Sequence, residues 1–147
     1  MTTALLIDTL EDRVEAVLGI ESDPMWALDL RALELLWDED TIVWECDART
    51  FQPWHVSASA EAVLEWPRAR WTGEPGFWAR VVVHPDDREA AVAYCAAEAR
   101  AGRHHEFVYR ALTASGRVVR LRHWAKVIPG DDGAPECLRS AMVVIRD

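Results

Sequence analysis

Eight side chains of this chain could wall a small-molecule site: Trp44, Trp54, Trp66, Trp78, Tyr94, Phe107, Tyr109 and His123. Indole and phenyl faces with few polar groups suit a flat or apolar ligand. The competing reading is that the rings fill a core and leave no cavity. His123 lies on the apolar side of an alternating run. It offers a pocket hydrogen bond or, as a lesser alternative, ligation of a haem iron; its plain role is that of a hydrogen-bonded core histidine. His84 precedes Pro85-Asp86-Asp87 and reads as the lead into a helix, bonded to Asp87, before it reads as a metal or haem ligand. His104 and His105 follow a helix stop and are expected at the surface.

Other reactive groups carry less. Cys46, Cys95 and Cys137 are an odd number, far apart and without a CxxC spacing, which argues against a disulfide framework or a zinc site. Cys95 reads as a small core residue on a helix rather than as a redox sensor. Asp86 and Asp87 are adjacent carboxylates, but at a helix start such a pair serves the positive end of the helix dipole. The chain has no glycine-rich phosphate loop and no G-x-S-x-G motif.

The elements that must position these groups are legible from period and punctuation. Residues 3 to 18 predict a helix with Ile7, Leu10, Val14 and Val17 in one apolar stripe, ended by Gly19. Asp23-Pro24 starts a second helix that runs to Trp37. Residues 41 to 46 and 51 to 56 predict a strand hairpin, with Pro53 marking an edge or a bulge. A short helix follows from Ala60 to Leu64, capped by Ser57 or Ser59, and residues 67 to 76 read as loop with room for a helical turn. The longest helix is predicted from Pro85 to Ala101, with Asp86 and Glu89 at capping-box spacing and Gly102 as the stop. Residues 106 to 113, 118 to 128 and 137 to 145 predict three strands joined by short turns, hence antiparallel. In the middle one Val119, Leu121, His123, Ala125 and Val127 share one face, and Arg120, Arg122, Trp124, Lys126 and Ile128 share the other.

Length and charge bound the rest. The 147 residues suit one domain able to bury a core without staples. A formal charge of −9 argues against nucleic acid or anionic lipid as a main partner. The acidic, interrupted first thirty residues are not a signal peptide, and no run approaches the roughly 20 apolar residues that span a bilayer. Cytoplasmic placement, with no membrane contact by this segment, is the expectation.

Several local motifs, taken in order, resemble a PAS domain. Trp54-His55-Val56-Ser57-Ala58-Ser59-Ala60-Glu61 is similar to the second strand and first helix of that family. His84-Pro85-Asp86-Asp87-Arg88 looks like the HPDDR that opens the long helix in one large subgroup. Glu106-Phe107-Val108-Tyr109-Arg110 resembles its E-x-x-Y-R strand, Gly116 and Asp132-Gly133 fall at its turns, and Ile145-Arg146-Asp147 looks like the start of its closing D-I-T. The aromatic usual a few residues after the Gly116 turn is replaced here by Val119 or Leu121. The resemblance spans residues 32 to 147 and implies an α+β fold: a five-stranded antiparallel sheet with helices on one face. Residues 1 to 31 would be N-terminal flanking helices. It also implies that the eight candidate side chains converge in one cup.

The implied function is that of a sensory or regulatory domain of signal transduction, without catalytic activity of its own. It would sense a small molecule or mediate dimerisation, and would be joined to a C-terminal effector such as a histidine kinase or diguanylate cyclase. The cofactor is open. The N-C-R-F-L type of motif that carries the reactive cysteine of flavin-binding light sensors is absent, which argues against that photochemistry. The expected partner is a second copy of the chain, through Ile7, Leu10, Val14 and Val17 and the outer sheet face. There Arg120, Arg122 and Lys126 would meet Asp8, Glu11, Asp12 and Glu15. The alternative from another class is a small cone-shaped α+β enzyme with an aromatic pocket and His123 or an aspartate as base.

Overall fold

The computed structural model describes residues 41–145. The expected helices within residues 1 to 37, their apolar stripe, the boundary at residue 31 and the last two residues lie outside the described residues. Within them the element order is β1 (Thr41–Asp47), β2 (Pro53–Val56), α1 (Ser59–Leu64), α2 (Arg68–Gly73), a π turn (Trp78–Val82), α3 (Pro85–Arg100), β3 (His105–Leu112), β4 (Val118–Pro129) and β5 (Pro135–Val144). The five strands form one antiparallel sheet in the order β2-β1-β5-β4-β3. The α+β fold with helices on one face is therefore as the sequence implies.

Alternation decides which side chains meet those helices. Register partners share a face, so Trp44 with Ser140, His123 with Met142, and Val127 with Leu138 all point the same way. This inner face is covered by α1, α2, the π turn and α3. Their Ala60, Leu64, Trp71, Phe77, Trp78, Val82, Cys95 and Ala99 are buried against it. Trp44, Trp71, Trp78, Phe77 and Leu121 are among the largest fully buried side chains. Truncating such an aromatic to alanine typically costs ~3–5 kcal/mol, so these rings set the stability of the domain.

Three local readings are corrected, and one wide turn is added to them. The segment 67 to 76 holds a two-turn helix, α2, whose Trp71 is wholly buried. Trp78–Val82 is a wide helical turn in which the Val83 N–H reaches the Trp78 carbonyl five residues back, at 3.0 Å. The expected serine cap of α1 is absent. The Ser57 hydroxyl instead accepts from the Val43 N–H at 2.9 Å and lies 2.8 Å from Ser59, so both serines tie the helix start to β1. The long helix runs from Pro85 as expected, but its cap is His84. Nδ1 of His84 accepts from the Asp86 N–H at 3.0 Å, two residues on, and the imidazole replaces both the capping box and the expected bond to Asp87. Gly102 ends the helix region with φ +74°, a conformation glycine adopts without strain.

Asp87 serves another purpose. Its carboxylate accepts from the Arg110 backbone N–H at 2.8 Å, from Nε at 3.0 Å and from Nη2 at 2.7 Å. The His84 N–H returns a bond to the Arg110 carbonyl at 2.8 Å. The start of α3 is thereby fastened to the edge strand β3. A second fastening joins α1 to the β3–β4 turn, where Glu65 accepts from Ser115 N–H at 3.0 Å and from Arg117 Nη2 at 2.6 Å.

Candidate functional site

Five of the eight candidate side chains meet at the centre of the inner face. Trp44 from β1, Trp78 from the π turn, Tyr109 from β3 and His123 from β4 are buried, and Phe107 of β3 completes the group. His123 stacks on Phe107 at 4.7 Å between centroids and meets the edges of Trp44 and Trp78, each at 5.7 Å. Trp44, Phe107, Tyr109 and His123 come together because each sits at inward parity on its own strand, and the π turn brings Trp78 onto them. The helical pieces then close over them.

A polar chain runs through this apolar site. Trp78 Nε1–H donates to the Tyr109 hydroxyl at 2.9 Å; the hydroxyl donates to Met142 Sδ at 3.1 Å and lies 2.8 Å from His123 Nδ1. The single hydroxyl proton is shared between Met142 Sδ and His123 Nδ1, and the tautomer of His123 follows its choice: Nδ1 donates to the tyrosine oxygen when the proton points at sulfur and accepts from it otherwise. Nε2 is a lone pair in the first case and an N–H in the second. Burial pushes the His123 pKa well below its usual value and pushes the Tyr109 phenol far up, so both are neutral.

Four buried polar atoms have no partner among the described residues: His123 Nε2, Trp44 Nε1, Trp71 Nε1 and Ser140 Oγ. They are not scattered. Ser140 is the register partner of Trp44, and the rings of Trp71 and His123 touch the Trp44 ring at 6.2 and 5.7 Å. Each such orphan costs ~1–3 kcal/mol in a dry interior. Together they offer two fixed N–H donors, one imidazole nitrogen and one hydroxyl, the last two able to donate or accept. That is the complement of a small polar molecule.

The other candidates stand elsewhere. Trp66 lies at the rim, its Nε1–H donating to the Leu112 carbonyl at 2.9 Å and its ring under the Arg70 guanidinium at 5.0 Å. Tyr94 is 41% exposed on α3 and covers Phe107 and His105 from outside. Trp54 is 53% exposed and is corrected outright as a pocket wall. The pairing of β1 with β2 slips between Glu45 and Cys46, so that His55 opposes Glu45 and Pro53 opposes Cys46. Trp54 is the extra residue of that bulge. It turns to the outer face, where its Nε1–H donates to Glu45 at 2.8 Å. Pro53 signals an irregularity in the sequence, but not which side chain it would turn over.

Two residues of the site are not evident as candidates in the sequence. Trp71 sits in a stretch dense in proline, glycine and charge. Ser140 needs the alternation Leu138, Ser140, Met142 to be read as inward. His105, expected at the surface, is 7% exposed instead. Its Nδ1 meets the Arg103 carbonyl at 2.9 Å and its Nε2 meets Cys95 Sγ at 3.3 Å. Burial pushes the Cys95 thiol up to about 12 and lowers the His105 pKa, so the pair is neutral and the sulfur is a poor nucleophile. Cys46 and Cys137 are buried and likewise raised by burial. Among the described residues no three His, Cys, Asp or Glu side chains are grouped to hold a metal ion, and no helix is long and apolar enough to cross a membrane.

A curved antiparallel sheet whose helices enclose an aromatic interior defines a receiver module, a scaffold with an inside. The chain belongs to the PAS-fold family: its model matches residues 53–142. The N-terminal domain of a diguanylate cyclase with PAS/PAC sensor from Marinobacter aquaeolei is 32% identical. The match covers 71% of this chain and 94% of that one, with a TM-score of 0.65. A sensory box histidine kinase/response regulator from Burkholderia thailandensis shares the fold at 16% identity, over 73% of this chain and 78% of that one, with a TM-score of 0.57. So does a LOV protein from Rhodobacter sphaeroides, at 14% identity, over 71% and 59%, with a TM-score of 0.60. No curated protein matches the chain. The chain is thus a PAS domain, a sensory module of signal transduction.

Proposed function

We propose that this domain, of the HPDDR subgroup, senses a small polar molecule held inside the sheet at Trp44, Trp71, His123 and Ser140, and has no catalytic activity of its own. The observation that carries the reading is the set of four buried, unpartnered polar atoms around one indole ring. An occupant there would bond to groups from β1, α2, β4 and β5 at once, so its binding energy would depend on how the helices lie on the sheet. A ligand that prefers one of two arrangements by ~1–3 kcal/mol gives roughly 5- to 150-fold coupling.

The domain division at residue 31, a cytoplasmic setting, an effector such as a cyclase or histidine kinase, and a homodimer through Ile7, Leu10, Val14 and Val17 belong to the same proposal. The diguanylate cyclase relative supports the effector. The dimer rests on the apolar spacing of Ile7, Leu10, Val14 and Val17 in the sequence; Val43, Trp124, Lys126 and Val143 on the outer sheet face are already buried in the single chain. Sedimentation of Leu10→Asp and Val14→Asp tests the dimer: monomers are expected, and an unchanged dimer overturns it.

Native mass spectrometry of the purified chain tests the sensor. A small-molecule adduct is expected, lost in Ser140→Val and His123→Phe. A second reading, a dimerisation module with a filled core, is favoured by the close ring contacts of 4.7 to 5.7 Å around His123. Bare protein mass from every preparation, with no melting shift across a metabolite panel, would establish it instead.

A further inference from the structure

We infer a second binding site, apart from the interior one, in the cleft between the last turns of α3, the β1–β2 turn and the β4–β5 turn. Its ligand is a small carboxylate with a flat or short apolar body. The cleft has a volume of about 320 Å³ and is floored by Phe51, Ala96, Ala99 and Pro135, with Arg49 and Arg100 as its charged side chains. That volume is at the small end of the roughly 300–1,000 Å³ of ligand pockets, enough for a substituted ring and no more. Four alanines among its lining residues leave the space open, and no carboxylate belongs to its wall.

The charge pattern identifies the ligand. Arg70, Arg103, Arg110, Arg117, Arg122 and Arg139 each form an ion pair with a carboxylate. Arg49 and Arg100 make no side-chain hydrogen bond or ion pair among the described residues. In a chain of formal charge −9, two guanidiniums left on one apolar cleft stand out from the general surface. Guanidinium meets carboxylate by paired N–H bonds, and an apolar floor strengthens such bonds by excluding water.

Two opposing effects are already answered locally. Asp47 attracts Arg49 without pairing with its guanidinium, and its Oδ1 accepts from the Arg49 and Thr50 N–H groups at 2.7 and 3.1 Å. The negative end of α3 points to this side, but its carbonyls are occupied: Ala97 by the Ala101 N–H at 3.1 Å and Ala99 by the Gly102 N–H at 3.0 Å. The floor is also built at a cost. Phe51 holds φ at +61°, a left-handed conformation that costs a non-glycine residue ~1–2 kcal/mol. That backbone turns the ring so that it walls the cleft while meeting Trp78 edge-on at 5.9 Å. A ligand on Phe51 is thus one ring away from the Trp78–Tyr109–His123 chain.

The test uses the full 147-residue chain with benzoate and its neutral analogue benzamide, followed by calorimetry and by amide and indole NMR shifts at low salt. Benzoate is expected to bind saturably, at least about tenfold tighter than benzamide, the equivalent of one charge-assisted contact. Shifts are expected at Phe51, Ala96 and Ala134 and at the Trp78 indole. Arg49→Gln with Arg100→Gln should bring benzoate down to the benzamide level, and Ala96→Leu should remove both by filling the cleft. His123→Phe, which strikes the interior site, should leave benzoate binding in place, so the two sites fail separately. Equal affinity for the two probes, no saturable benzoate binding, or binding untouched by the arginine substitutions in a folded variant would overturn the inference.

Discussion

The Tyr109 hydroxyl lies 2.8 Å from His123 Nδ1, and both groups are sealed from solvent on adjacent antiparallel strands. The same oxygen accepts from Trp78 Nε1 at 2.9 Å, so one phenol serves a helical turn and two strands. Tyr109→Phe keeps the ring but strips these partners, adding the Trp78 N–H and His123 Nδ1 to the unpaired atoms of the interior. The expected loss is ~2–4 kcal/mol, read by chemical denaturation with an unchanged slope. A loss below about 0.5 kcal/mol would show that water reaches the site.

Acid should weaken the fold in a defined window. Burial lowers the pKa of His123 well below its usual value, and those of His104 and His105 also fall. In the unfolded chain each takes a proton near pH ~6.5, whereas the folded protein resists it until lower pH. Stability is therefore full above about pH 6.5 and declines as pH falls below it. Melting temperatures between pH 7.5 and 5 measure this. His123→Phe should flatten the decline without abolishing it, since His104 and His105 remain.

A second acid step belongs to the two fastenings. Arg110 holds the Asp87 carboxyl at about 2, and Arg117 holds Glu65 at about 2, both below the ordinary carboxylate range. Their contribution is present above pH ~4 and fades as pH falls toward 2. Asp87→Asn at neutral pH should destabilise by ~1–2 kcal/mol, because the edge strand loses a forked partner. Arg110→Lys should lose most of that too, since an ammonium cannot make the paired contact. Hydrogen exchange should locate the loosening at residues 105 to 112 and at the start of α3.

The bulge of β2 against β1 makes two tryptophans ten residues apart unequal. Trp44→Ala should cost ~3–5 kcal/mol or prevent folding, whereas Trp54→Ala should cost under about 1 kcal/mol. Comparable losses would mean that the register of β1 against β2 is other than described.

That pair also shows how far the sequence could be read. Periodicity and punctuation were enough for the succession of strands along the chain, the long helix and the inward face of β4, because each depends on residues near in sequence. Trp54 was misplaced because the slip at Glu45 depends on pairing across two strands, and parity beyond a bulge cannot be counted from one of them. Trp71 was overlooked because a two-turn helix gives too few residues for a period. His84 took over the cap expected from Asp86 because its ring nitrogen reaches the N–H two residues ahead. The unpartnered atoms were invisible in principle, since an orphan is defined by what surrounds it.

Electron density at the inner face, from crystals of the purified chain, bears most directly on the interior site. A molecule larger than water, bonded to at least two of Trp44 Nε1, Trp71 Nε1, His123 Nε2 and Ser140 Oγ, is the expected finding. A lone water, or rings in unbroken contact with those four atoms still unpaired, would contradict a sensing interior and leave a filled core.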